Sequence, residues 1–575
     1  MNNLTIRILV GTTLLAGASG VWGADHVFDA GFDHRSEGPY SSGDAQRFLT
    51  QATLGPSMAR IANLESIGFN AWFSQQLAAP ASHHRPYLEA REAAGDDVYQ
   101  NIRQEAWFQF AIQAPDQLRQ RVAFALSEIL VVSDQSGAIE GEPIPMAQYY
   151  DLLVDGAFGN YRNLLEQVTL SPVMGHYLSM FKNRKPDPEE NIRPDENYAR
   201  EIMQLFSIGL VQLNQNGTVI TSGGQPVPTY NQDTIRGFAH VFTGWNWANC
   251  PSSQPMEWWE FEYCPPGPVD WPDPGWDAYW LEPMESYDDF HASEESKQLL
   301  IYPGVSLAGG ILPAGGTAQT DLQAALDNIF NHPNVAPFIA QHLIKRLVTS
   351  NPSPAYVGRV ATMFNNNGSG VRGDLAATVR AVLMDSEART VQPLASNSGK
   401  LREPLLRLTQ LWRAFDGRAD DGRFREWYIY YYFAQAPLSS PTVFNFFLPS
   451  YQPPGELSTL GLIAPEFQIT TDTTVASVAN ILADKVFWAW RGNDDVGPED
   501  IVVDLEPELA LANDPARLVD RYDLLLMGHT MSNSMYNTLV TYLQSLPASD
   551  NDERRQRVQE AIWLIQSSPE YSIER

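Results

Sequence analysis

From Arg103 to Val132 apolar residues recur at helical spacing with few breakers. That pattern, repeated along most of the chain, limits the fold more than any other feature. Within it, Leu118 to Ser127 reads as a buried helix with basic residues at its start. Further helical stretches are expected at 148–158, 161–170, 172–181, 233–242, 320–330, 334–348, 354–365, 374–385, 400–415, 465–490, 515–545 and 552–567. No regular alternation of strand and helix patterns appears, which argues against a Rossmann or barrel architecture. The expected class is mainly α, a large irregular multi-helical assembly. Two exceptions stand out. Residues 210–231, with Gly, Asn, Thr and scattered β-branched residues, predict a small β-hairpin. Residues 245–290 carry seven tryptophans, many prolines and no helical period, and read as a Trp/Pro-rich insertion.

The N-terminus sets the address. Arg7, an apolar run from Ile8 to Ala18 and small residues around Ala24 form the three-part pattern of a secretory signal over 1–24. A periplasmic or extracellular location follows from it. A polar leader spans 25–44. A main helical domain is expected over 45–415, and a C-terminal helical region packed on it over 416–575. Export fits the only two cysteines, Cys250 and Cys264, an even and close pair that suggests one disulfide. The 575 residues include 68 acidic and 38 basic ones, a formal charge of −30. Such a surface repels nucleic acid and anionic lipid. No stretch after the signal is long and apolar enough for a membrane span.

Between Pro194 and Gly209 lies the densest polar cluster in the chain. Pro194 and Asp195 mark a helix start and Gly209 a helix end. At about 100° per residue, Glu196, Asn197, Arg200, Glu201, Gln204 and Ser207 fall within roughly 140°. Glu196 and Arg200 are neighbours on that face, as are Asn197 and Glu201. Two carboxylates beside a guanidinium and an amide suit acid–base work on a bound substrate, and they equally suit an ordinary ion-paired helix face.

Three further groups carry chemistry. Asp233, Arg236 and His240 share a helix face, followed by Thr243-Gly244-Trp245. His291 stands with Asp288, Asp289, Glu294, Glu295 and Lys297. Histidines with nearby carboxylates are the residue types of a divalent-metal site or of a general base, although spacing alone does not fix their distance. The aromatic insertion offers Trp245 and Trp247 as flat surfaces for sugar rings, or as packing for a loop without helices of its own. The chain has no G-x-S-x-G elbow, H-E-x-x-H pair or Walker loop. Gly368 to Gly373 matches G-x-G-x-x-G, but it follows a helical pattern rather than a strand, so it lacks the dinucleotide-binding context.

Several motifs together resemble the domain of unknown function 1800 family of bacterial proteins. They are Arg47 to Pro56, Leu118 to Ser127, Asp195 to Gly209, Phe242 to Trp245, His291 with Lys297, Ser350 to Tyr356 and Ser440 to Phe446. Asp195-Glu196-Asn197-Tyr198-Ala199-Arg200-Glu201-Ile202 is similar to the family's N-E-N-[FY]-A-R-E-[LI] signature, with Asp195 in place of the first Asn. Ala292 stands where the family's His-Asp pair has its Asp. The resemblance implies an exported, mainly helical protein. It also implies a secreted partner of the domain of unknown function 1501 family, which resembles sulfatases and alkaline phosphatases, and a joint role in handling an extracellular polymer. The sequence therefore sets up two readings. One is an enzyme or enzyme subunit acting on an extracellular glycan, with Glu196 and Glu201 as acid–base groups, Asn197 and Arg200 positioning substrate, and His240 and His291 in support. The other is a non-catalytic binding or assembly protein.

Overall fold

The computed structural model describes residues 38–264, 276–391 and 397–575, without the side chains of 276–278. The expected signal and most of the expected leader lie outside these residues, as does Trp271. Among the described residues there are twenty-six α-helices and four two-stranded antiparallel sheets. The mainly α class is as expected. No described helix is long and apolar enough to cross a membrane.

The helices form where apolar residues recur every three to four positions, and polar caps end them. Ser41, Ser57, Ser353, Asp374 and Ser532 each accept a hydrogen bond from the third backbone N–H of the helix that follows. Each cap satisfies one orphan donor and contributes about 1 kcal/mol. The Gln117–Ser127 helix is buried along nearly its whole length, including Arg121. It sits at the centre of one continuous apolar cluster that runs from Ala45 to Tyr571. Each large apolar side chain fully buried there contributes roughly 1.5–3 kcal/mol.

The last third of the chain closes onto the first. Lys400–Leu401 pairs antiparallel with Ile573–Glu574 near the C-terminus. Arg413 donates to the carbonyls of Gly55, Ala111 and Ile112. Gln46 in the first helix donates to Leu525 O at 3.2 Å. These contacts bury polar groups with their partners, which sets the register between distant helices.

The hairpin expected over 210–231 is present, with Thr221–Ser222 paired to Gln225–Pro226, an outer bridge Val211–Pro228 and a separate bridge Leu213–Val219 across the preceding turn. The 245–290 insertion contains two short helices, Trp258–Glu262 and Trp276–Leu281, that its sequence does not announce. Each is too brief to show a period. Cys250 and Cys264 are joined as a disulfide. The bond closes a loop of 14 residues in sequence separation. Replacing both cysteines by serine is expected to lower stability by about 2–3 kcal/mol, since loop closure then has to be met in the unfolded chain. Urea unfolding of the two forms measures it.

Candidate functional site

The expected helix is shorter than its markers. It runs Asn197–Gln204, with Glu196 at its cap position. Asp195 still serves the start, since its Oδ1 accepts from Asn197 N at 2.7 Å. Asn183 in turn clasps Asp195 through both backbone groups. The chain then turns, and Gly209 closes the turn with φ +70, donating to Met203 O at 3.0 Å. That left-handed conformation is one that glycine adopts without steric cost.

The polar face of this helix divides in two. Glu196, Asn197 and Arg200 form an outer rim. Arg200 pairs with Glu196 Oε2 at 2.7 Å, and Gln232 donates to both Glu196 oxygens at 2.8 and 2.9 Å. Asn197 is exposed. The Arg200–Glu196 pair is solvated and contributes well under ~1 kcal/mol. Glu201 is different. It is 8% exposed, and its Oε2 is buried without a hydrogen-bond partner. Burial holds its carboxyl above the usual carboxylate range, against the opposing pull of Arg200. Tyr177 and Tyr230 are pushed up to about 12, by burial first and then by the Glu201 charge. The Tyr230 hydroxyl is also buried without a partner. Tyr230 precedes, and Gln232 begins, the Gln232–Val241 helix, whose start thereby meets the Glu201 helix through the Gln232–Glu196 bonds. Neither tyrosine carries a sequence signal, since an isolated Tyr at a helix end or just before a helix reads equally well as packing.

The second group assembles around Thr243. Its hydroxyl donates to His240 O at 2.7 Å and accepts from Ala292 N at 3.0 Å. His291 Nδ1 lies 3.0 Å from Thr243 O, and its Nε2 lies 3.1 Å from Asp321 Oδ2. Lys297 Nζ reaches the same Asp321 oxygen at 2.7 Å. All three side chains are at most 2% exposed. Gly244 makes the approach possible. Its φ is +82, and a Cβ there would stand 2.8 Å from Tyr287 O and 3.0 Å from His291 N. The carboxylate facing His291 thus comes from the Ala318–Phe330 helix, while the residue directly after His291 is Ala292. Asp321 carries no local signal, because an acid in a first helical turn is unremarkable by itself. Burial opposes ionisation of Asp321, yet the bonds from His291 and Lys297 hold its carboxyl below the usual range.

His240 lies on the outer side of Thr243, 3.2 Å from Glu295 Oε2, and burial pushes its ring below the usual histidine value. Asp233 and Arg236 form an exposed pair at 3.4 Å. A divalent metal does not fit this group. Both ring nitrogens of His291 face acceptors, and an ammonium already occupies Asp321. Among the described residues no set of three or more His, Cys, Asp or Glu side chains is placed to hold an ion.

Trp245 and Trp247 are buried, at 1% and 2% exposure. Trp247 packs on Phe181 at 4.5 Å and on Trp280 at 4.9 Å. Among the described residues, the exposed large rings of the insertion are Trp258, Trp259 and Tyr263.

A third polar centre has no counterpart in the sequence reading. Arg121, Glu128, Arg346, Lys400, Glu403 and Glu466 meet in the interior, all at most 4% exposed. Lys400 Nζ lies 3.1 Å from Glu403 and 3.5 Å from Glu466. Arg346 lies 3.4 Å from Glu128, and Asn445 donates to Glu128 Oε1 at 3.3 Å. Burial pushes Glu128 up to about 8, while Lys400 and its neighbouring guanidinium groups, against burial, draw Glu403 down to about 2. The signs differ for stability. Glu128 binds a proton more tightly folded than unfolded, so its contribution falls as pH rises from about 4.5 to about 8. Glu403's contribution is complete above its unfolded value and is lost as pH falls toward about 2. Glu128→Gln is therefore expected to flatten the decline in stability between pH 5 and 8, by roughly 1 kcal/mol per pH unit. Chemical unfolding across that range measures the slope.

Fold and site together define a mainly α-helical chain with one continuous core, a half-enclosed carboxyl–phenol cluster and two sealed ionic clusters. The chain belongs to the family described as protein of unknown function (DUF1800), whose model matches residues 47–573. No curated protein and no solved structure matches it.

Proposed function

We propose that the protein is an exported enzyme, or the subunit of one, acting on an extracellular glycan or related polymer. The observation that carries this reading is the Glu201 carboxyl. It is buried, it has an oxygen without a partner, and it holds its proton to higher pH than an ordinary glutamate does. Those are the properties of a general acid. In a hydrolytic step Glu201 donates its proton to the leaving-group oxygen as that bond breaks. Water adds to the carbon left behind and returns a proton to carboxylate. Glu196, fixed by Arg200 and Gln232 at the rim, supplies the second carboxylate. Asn197 and Arg200 are exposed enough to touch substrate hydroxyls. His240, His291, Asp321 and Lys297 hold the adjoining helices in place. The test is release of reducing ends from a panel of purified polysaccharides by the isolated chain. Glu201-dependent release supports the assignment. Absence of release from every polymer, alone and with a secreted partner added, overturns it.

A second reading rests on a different observation. Trp258, Trp259 and Tyr263 on the disulfide-tied insertion, and Trp427, Tyr428 and Tyr431 on the C-terminal region, are each about half exposed or more. Such rings suit a non-catalytic binding or assembly protein working with a second secreted protein, one of the domain of unknown function 1501 family. Stable stoichiometric co-purification without activity on any glycan favours it over the first.

A further inference from the structure

A cleft of about 400 Å³ lies between the Pro143–Gly156 and Tyr161–Leu170 helices and the segment 280–283 of the aromatic insertion. Its volume falls in the range of small-ligand sites. Leu152, Leu170, Leu281 and Trp280 belong to its apolar lining. Trp280 is held rigidly from behind, with its ring 4.5 Å from His176 and 4.9 Å from Trp247. The polar lining consists of Gln148, Asn163, Gln167, Ser171, Glu166 and Glu282. Glu166 is already engaged by Arg162 at 2.8 Å and Gln323 at 2.7 Å. No lysine, arginine or histidine lines the cleft.

We infer that this cleft binds neutral glycosyl units of a polysaccharide. Amide and hydroxyl groups both donate and accept, as sugar hydroxyls do. Leucine side chains match the apolar C–H surface of a sugar ring. Glu282, with no cation among the described lining residues, disfavours sulfated or uronic chains. Peptides are also disfavoured, because the walls are helices whose backbone groups are internally paired and offer no strand edge. The position links the cleft to the cluster described above. The Pro172–Tyr177 helix begins with Pro172 in the cleft wall and ends with Tyr177 beside Glu201. Six helical residues span roughly 9 Å. Thr169, one turn earlier, hydrogen-bonds Tyr198 of the Glu201 helix at 2.6 Å. The Pro172–Tyr177 helix and Thr169 thus join the cleft wall to the Glu201 helix through the protein interior. This inference rests on the glycan reading and assigns its substrate class and subsite.

Isothermal titration of the purified chain with cellohexaose, xylohexaose, maltohexaose and chitohexaose, and with hexagalacturonate and a chondroitin sulfate hexasaccharide, tests it. At least one neutral hexasaccharide is expected to saturate, and neither anionic one. The double variant Gln148→Ala/Gln167→Ala, folded by circular dichroism, should weaken that binding at least tenfold. The inference is overturned if no neutral hexasaccharide binds, if an anionic one binds more tightly, or if the folded double variant binds as the unaltered chain does. The two readings fail separately. Glu201-dependent turnover with no effect of the double variant on binding removes the cleft alone. Cleft-dependent binding with turnover indifferent to Glu201→Gln removes the acid–base assignment alone.

Discussion

Asp321→Asn is expected to destabilise the protein by about 3–5 kcal/mol, the cost of leaving a buried charge without its counter-ion. The side chain keeps its size, so no cavity forms. What changes is the environment of Lys297, whose side chain is fully buried and whose ammonium lies 2.7 Å from the Asp321 oxygen. The amide of Asn can still accept from His291 Nε2, so the loss reports mainly the stranded cation. Adding Lys297→Met removes that cation, and the double variant should recover most of the loss. Urea unfolding of the single and double variants measures both effects. The outcome also decides what the trio does. A stable Asp321→Asn protein that has lost only activity would make His291, Lys297 and Asp321 a chemical site. A large loss of stability, rescued by Lys297→Met, makes them a brace for the Thr243–Trp245 turn.

Glu201→Gln is expected to behave in the opposite way. The substitution preserves shape and removes a titratable proton from a site where burial disfavours the charged form. Stability should hold or rise. The raised carboxyl makes the unaltered protein less stable as pH climbs above the usual carboxylate range, and the amide variant escapes that decline. Activity should fall by about 10²–10⁴-fold, the usual contribution of a positioned general acid. In the unaltered protein the proposed rate should decline on the alkaline side as Glu201 loses its proton. That limb should be missing from the residual rate of the variant.

Much of the architecture was legible in the residues, for physical reasons that can be named. The Gln117–Ser127 helix is buried as its apolar spacing implies, and Cys250 does pair with Cys264. The hairpin near 221–226 sits where Gly and β-branched residues place it. Local boundaries were harder. Pro194 and Gly209 bracket the helix but lie outside it, because Asn183 holds Asp195 in a cap and Gly209 closes a turn past the last helical residue. One helical stretch over 515–545 is two helices, broken where Gly528 takes φ +61.

The candidate site was legible only in part. Periodicity places Glu196, Asn197, Arg200 and Glu201 on one face, but it does not say that Glu201 is buried while Asn197 stays in water. That depends on a loop returning from thirty residues downstream. Asp321 and the buried Glu128–Lys400–Glu403 network were invisible for the same reason. Their partners are distant in sequence, and a charged residue at a helix start or in a strand looks like surface until the fold covers it. Trp245 and Trp247 read equally as packing or platform, and their burial beneath the insertion is a tertiary fact.

The most direct single measurement compares the unaltered protein with Glu201→Gln in one preparation, recording polymer cleavage and thermal unfolding together. The expected result is a loss of cleavage of at least about 100-fold with an unchanged or higher unfolding temperature. Cleavage within a few-fold of the unaltered protein, or a variant that unfolds, would contradict the assignment of Glu201 as the acid.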